Sequence, residues 1–132
     1  MTKTIYLVRH AKSSWKDAAL PDYDRPLNRR GKRDAPEMGR RLAQQGVYPD
    51  QIVGSPAKRA KKTTLAIAEV VGFAAREIQW EKGLYHAEPE TLLGYVHEIP
   101  NRCQSLMLVG HNPGLTDFYN ALCEEEIENI VT

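Results

Sequence analysis

The chain has 132 residues, 42% of them hydrophobic and 27% charged, with a formal net charge of +1. That length suits a single domain over residues 1–132, which would bury roughly two-thirds of its unfolded surface. A charge so near zero gives no global attraction to nucleic acid or to an anionic membrane, and no stretch approaches the ~20 apolar residues of a membrane span.

Met1-Thr2-Lys3-Thr4 runs straight into a strand expected over 4–8, which leaves no room for a signal peptide and points to the cytoplasm. Residues 11–27, rich in Ser, Asp and Pro, read as a long loop, and loops of that length in small domains are often functional. Asn28-Arg29-Arg30-Gly31 reads as a separate turn, because Pro36 is uncomfortable in mid-helix. A helix is then expected from the Asp34 cap, with Pro36 in its first turn, Glu37 three after the cap, Met38 and Leu42 inward, and Gly46 closing it.

A second strand follows at 51–54, and Ser55-Pro56 opens the next helix by the same cap-then-proline logic. Its inward stripe is Ala60, Thr64, Ile67, Ala68 and Val71, ended by Gly72. Glu77-Ile78-Gln79-Trp80 alternates, as an edge strand would. Pro89 opens a third helix that turns Leu92, Leu93, Val96 and Ile99 inward and stops at Pro100. A last strand at 105–109 leads to Asn112-Pro113, which opens a fourth helix with Leu115, Phe118 and Leu122 inside. Short continuous apolar runs mark strands buried on both faces. Alternating with helices, they predict an α/β three-layer sandwich around a largely parallel sheet.

Three of those strands end in related chemistry. The first delivers Arg9 and His10, the second leads to a helix whose first turn reaches Arg59, and the last delivers His111 and Asn112. Ligands of open parallel sheets collect beyond the carboxyl ends of the strands. Helix starts and guanidinium forks both suit phosphate oxygens. Alone, each residue is a cap, a turn or a surface charge; together they describe an anion site with a nucleophile. Cations around His10 would keep its imidazole neutral, able to attack phosphorus and carry the phosphoryl group, without a metal or other cofactor. The spacing of Cys103 and Cys123 makes neither a zinc pair nor a redox motif.

The motifs resemble those of the histidine phosphatase superfamily, the phosphoglycerate mutase-like fold, and within it the small SixA-type phosphohistidine phosphatases. Leu7-Val8-Arg9-His10-Ala11-Lys12-Ser13-Ser14-Trp15 is similar to that family's first-histidine motif, and Asp24-Arg25-Pro26-Leu27-Asn28 to Gly31 resembles its next segment. Ser55-Pro56-Ala57-Lys58-Arg59-Ala60 through Thr63, Leu84-Tyr85-His86-Ala87, and Val109-Gly110-His111-Asn112-Pro113-Gly114 follow in family order. The resemblance implies that His10 is the residue phosphorylated, with Arg9, Arg59 and His111 completing the phosphate pocket. It implies a phosphorylated protein or a small phosphorylated molecule as partner, and a monomer.

Three departures stand out. Where larger relatives carry a glutamate proton donor this chain offers Gly83, with Glu81 nearby. A missing acid hurts alkoxide leaving groups most and imidazole least, which favours protein phosphohistidine. Lys16 stands where mutases use an asparagine and can contact phosphate. Family members also continue beyond a segment like Ile130-Val131-Thr132 into another strand, so the sequence is expected to be trimmed or to leave an open sheet edge. The rival readings are a phosphatase of small phosphoester metabolites, a phosphate- or phosphoprotein-binding module without turnover, and a histidine metalloprotein. Of the basic clusters Arg29, Arg30, Lys32, Arg33 and Lys58, Lys61, Lys62, the sharper reading is a rim for an acidic partner. His86 and His97 are expected to be structural or exposed, and Trp15 and Tyr23 to pack or to border the entrance.

Overall fold

In a computed structural model that describes residues 3–123, four strands form one parallel sheet in the order β1-β4-β2-β3. They are β1 (Thr4–Arg9), β2 (Gln51–Gly54), β3 (Gln79–Trp80) and β4 (Ser105–Gly110). The helices are α1 (Arg29–Gln44), α2 (Lys58–Val71), α3 (Pro89–Glu98) and α4 (Gly114–Cys123). The segment Ile130-Val131-Thr132, on which the expected trimming or open sheet edge rests, lies outside the described residues. No helix among the described residues is long and apolar enough to cross a membrane.

The central strand shows why the apolar runs are continuous. Leu106 and Leu108 of β4 pack with Leu92, Ile99, Leu115 and Phe118 under α3 and α4. Met107 and Val109 point the other way, into Ile67, Ala68 and Val71 of α2 with Leu42 of α1 at the margin. Alternate side chains of one strand thus serve two helical layers, so every position is apolar. The layers form the expected three-layer α/β sandwich.

Several local expectations need correction. The helix expected from Asp34 begins at Arg29 and runs through Pro36 without a break. Asn28, not Asp34, caps it, its side-chain oxygen accepting the Gly31 N–H at 2.8 Å. The cost of Pro36 is one lost backbone bond, which the packing of α1 against α2 outweighs. Gly31 lies directly against the Lys12 carbonyl, where a Cβ would clash. Ser55 does not cap α2, whose start at Ala57 has no side-chain cap. Met38, Leu93 and Leu122, expected inside, are 44%, 37% and 48% exposed. The third strand shrinks to two residues at a sheet edge, because Ala75–Glu77 turn as a short 3-10 helix. The stripe on α2 is buried as expected, and Gly72 ends it in the left-handed conformation at φ 77°.

Candidate active site

All four strands run the same way, so β1, β4 and β2 end side by side. His10 follows β1, and its backbone N–H donates to Gly110 at the end of β4. His111 follows β4, and Arg59 stands in the first turn of α2 after β2. His10, Arg59 and His111 are 7%, 4% and 5% exposed, and the two imidazole centroids lie 5.3 Å apart. With Arg9 and Asn112 they line one cleft of about 1260 Å³.

His10 has a defined tautomer. Its Nδ1 lies 2.7 Å from the carbonyl oxygen of Ala11, which can only accept, so Nδ1 carries the proton. Nε2 therefore presents a lone pair, and the Nε–H of Arg59 donates to it at 3.3 Å. The Ala11 N–H in turn donates to Thr63 Oγ1, whose hydroxyl donates to the Arg59 carbonyl. Thr63 thus ties the segment bearing His10 to the helix bearing Arg59. Burial pushes the His10 pKa down to about 4; its hydrogen bond to Ala11 opposes this, and Arg59, Arg9 and Arg25 add to the lowering. The sequence reading gave the cations the leading part, whereas desolvation has it.

His111 is held differently. Its Nε2 is 2.8 Å from Ser55 Oγ, so the serine expected to cap a helix instead orients the second histidine. Burial, followed by Arg59, His10 and His86, lowers its pKa to about 3. Its buried Nδ1 has no hydrogen-bond partner among the described residues, a rare condition in a cavity wall.

Arg59 is fully engaged. Besides His10 it donates Nη1 to the Asp22 carbonyl at 2.5 Å and Nη2 to Asp22 Oδ2 at 2.9 Å. Asp22 also accepts from the Tyr85 hydroxyl at 2.5 Å and from Arg25 Nε at 3.0 Å. The Tyr85 bond above all, with both guanidinium groups, holds the Asp22 carboxyl far below the usual carboxylate range against the opposing effect of burial. An ionised carboxylate therefore sits where Arg59 would meet an anion.

The remaining expected residues separate. Lys16 is exposed on the cleft wall, where its backbone N–H donates to Ser14 Oγ at 3.1 Å. The Asn112 oxygen accepts from the Thr116 N–H and hydroxyl, at 3.2 and 2.9 Å, so it caps the start of α4. Neither Glu81 nor Gly83 lines the cleft: Glu81 accepts from Gln79, and Gly83 packs on the Tyr95 hydroxyl. His86 is exposed and does line the cleft, its ring 4.0 Å from that of Tyr85, while His97 is exposed elsewhere. Trp15 borders the cleft; Tyr23 packs edge-on against Tyr85. Of the two basic clusters, Arg29, Arg30 and Lys32 line the cleft, and Lys58, Lys61 and Lys62 do not. Sequence reasoning missed Asp22 and the role of Ser55. A long loop carrying an acid between two arginine-bearing motifs was the available signal for Asp22.

The model of the histidine phosphatase superfamily (branch 1) matches residues 5–107. The chain belongs to that superfamily. It is 31% identical over 123 residues to an uncharacterized chloroplastic protein of Arabidopsis thaliana, covering 86% of this chain but 56% of that one. An uncharacterized protein of Mycobacterium tuberculosis is 34% identical over 106 residues, 80% of this chain and 63% of the relative. The chain thus spans less than two-thirds of the length of these two curated relatives. Among solved structures, it superposes on a protein provisionally called phosphohistidine phosphatase SixA from Agrobacterium tumefaciens with a TM-score of 0.83 and 34% identity, over 92% of this chain and 78% of that one. The protein histidine phosphatase SixA complexed with tungstate gives a TM-score of 0.85 at 21% identity, covering 97% and 81%, a likeness of fold alone.

Proposed function

We propose that the protein is a phosphatase acting through a covalent phosphoryl group on His10, with protein phosphohistidine as its substrate. The observation that carries this reading is the fixed tautomer: the Ala11 carbonyl holds the proton on Nδ1 and leaves the Nε2 lone pair toward Arg59. In the reaction the substrate phosphoryl group displaces the Asp22 carboxylate from Arg59 and takes over the Nε–H that Arg59 gives to His10 Nε2, which frees that lone pair. Nε2 attacks phosphorus, the bond from phosphorus to the substrate imidazole breaks, and that imidazole takes a proton from solvent. Arg9, Arg59 and His111 bind the equatorial oxygens as charge builds there, and Lys16 is on the wall of the same cleft. Water then attacks the phosphoryl group on His10, the bond to Nε2 breaks, and inorganic phosphate leaves.

The state of Asp22 supports the choice of substrate. Held ionised by Tyr85 and two arginines, it has no proton to give a leaving group. An alkoxide would need that proton badly. Imidazole, with a conjugate acid near ~6.5, does not.

The reading is tested by mixing the protein with a labelled small phosphodonor, quenching in alkali and mapping the acid-labile phosphate. Label on His10, absent in His10→Ala, together with faster turnover of a phosphohistidine peptide than of a sugar phosphate, is expected. Label elsewhere, or His10→Ala retaining turnover, would end the proposal.

A further inference from the structure

The cleft before His10 is larger than a phosphoryl group requires, and its outer part consists of residues that the reaction does not use. On one side the start of α1 contributes Arg29, Arg30 and Lys32, and the loop against it contributes Lys12. All four are exposed. Arg30 pairs with Asp34 at 3.3 Å, whereas Lys12, Arg29 and Lys32 make no ion pair among the described residues. The first turn of α1 holds no acid at all. Cations there oppose the positive end of the helix dipole. A local rule broken without a compensating contact inside the fold marks a functional surface.

Elsewhere the cleft wall exposes apolar side chains beside Lys16 and Asp17. Trp15 is 75% exposed, yet its ring is stacked under the Arg25 guanidinium, 3.4 Å from the centroid. Arg25 is buried and donates to Asp22, to Ser13 Oγ at 2.9 Å and to the Ser14 carbonyl at 3.2 Å, so the indole is presented on a fixed support. Leu20 is partly exposed on the same cleft. A supported tryptophan costs little entropy to bury, and such residues anchor protein interfaces.

We infer that Trp15, Leu20 and the rim of Lys12, Arg29 and Lys32 form a docking surface for an acidic segment beside the phosphohistidine of a protein substrate. The inference rests on the phosphohistidine reading and adds the partner's chemistry to it. Charge complementarity with the three rim cations Lys12, Arg29 and Lys32 selects an acidic occupant and steers its approach. A small polyanion would use those cations but leave Trp15 and Leu20 in water. A protein segment carrying both acids and an apolar side chain engages both sides.

The test compares three substrates: free phosphohistidine, a phosphohistidine peptide flanked by glutamates and a leucine, and its counterpart with lysines in place of the glutamates. The acidic peptide is expected to show a kcat/KM about tenfold or more above the basic one, a gap that shrinks with added salt. The double variant Lys12→Glu, Lys32→Glu should abolish or invert the preference. It places acids near the positive end of α1, which the helix favours over lysines. Trp15→Ala should raise KM for the acidic peptide several-fold with kcat kept. Free phosphohistidine should be turned over within about twofold by every variant, which also reports an intact site. Peptides used equally by the wild-type protein, a preference surviving the double variant, or indifference to Trp15→Ala would each overturn the docking surface while leaving the phosphatase reading standing. Failure of the wild-type protein on all three substrates alongside turnover of a sugar phosphate would remove the phosphohistidine reading, and the docking surface with it.

Discussion

Two helix starts face the same cleft with cations in their first turns, yet they are built in opposite ways. At α2, Arg59 is buried, each nitrogen of its guanidinium group is engaged, and no side chain caps the helix. At α1, Arg29 and Lys32 are exposed and make no ion pair among the described residues, and Asn28 closes the helix with its own side chain. Like charges at like positions therefore do different work. A cation held by hydrogen bonds at each of its nitrogens can meet a transition state, whereas a solvated one attracts a partner without fixing it.

Substitutions at the two helix starts should separate these roles. Arg59→Ala removes a positioned donor of the kind worth roughly 10²–10³ in rate, so steady-state kinetics should show kcat/KM lower by that factor. An unchanged value would mean that the uncapped start of α2, not Arg59, holds the anion.

The buried histidines give the next largest effect. Both have folded-state pKa values below the ordinary 6.5, at about 4 for His10 and about 3 for His111. The unfolded chain then binds more protons below 6.5, so their neutral burial stabilises the fold fully above that pH. Urea melts should show stability lost progressively from about pH 6.5 down to 3–4, by a few kcal/mol per histidine, with His111→Asn shallower than wild type. A flat profile would contradict the burial described.

Asp22→Asn removes the charge that, in the proposed reaction, competes with phosphate for Arg59. Inhibition by inorganic phosphate should tighten several-fold, read as a lower Ki, while an unchanged Ki would show that Asp22 and phosphate bind side by side. The smallest change belongs to α1. Asn28→Ala should cost about 1 kcal/mol in a denaturant melt, with kcat near wild type.

Much of this architecture was legible in the sequence because it follows from period and apolarity. The β4 run reads as a strand buried on both faces, and it is one. The motif residues His10, Arg59 and His111 come together because parallel strands carry their carboxyl ends to one edge. What stayed hidden depends on contacts distant in the chain. Ser55-Pro56 obeys a local capping rule, but His111, 56 residues away, claims the serine hydroxyl. Asp22 is unremarkable until the loop folds back over Arg59, 37 residues further on. Pro36 argued for a break, and packing of α1 on α2 overrode it. Tertiary contacts decided each of these cases against a sound local rule.

The central claim is that the His10 ring is neutral near pH 7 with its proton on Nδ1. Nitrogen-15 NMR of selectively labelled histidine, titrated from pH 8 to about 4 and assigned with His10→Ala, measures this directly. A protonated Nδ1 and a bare Nε2 are expected down to about pH 5, with Nε2 taking up its proton only near the bottom of the range. A proton on Nε2 at neutral pH, or an imidazolium already formed at pH 6, would contradict it.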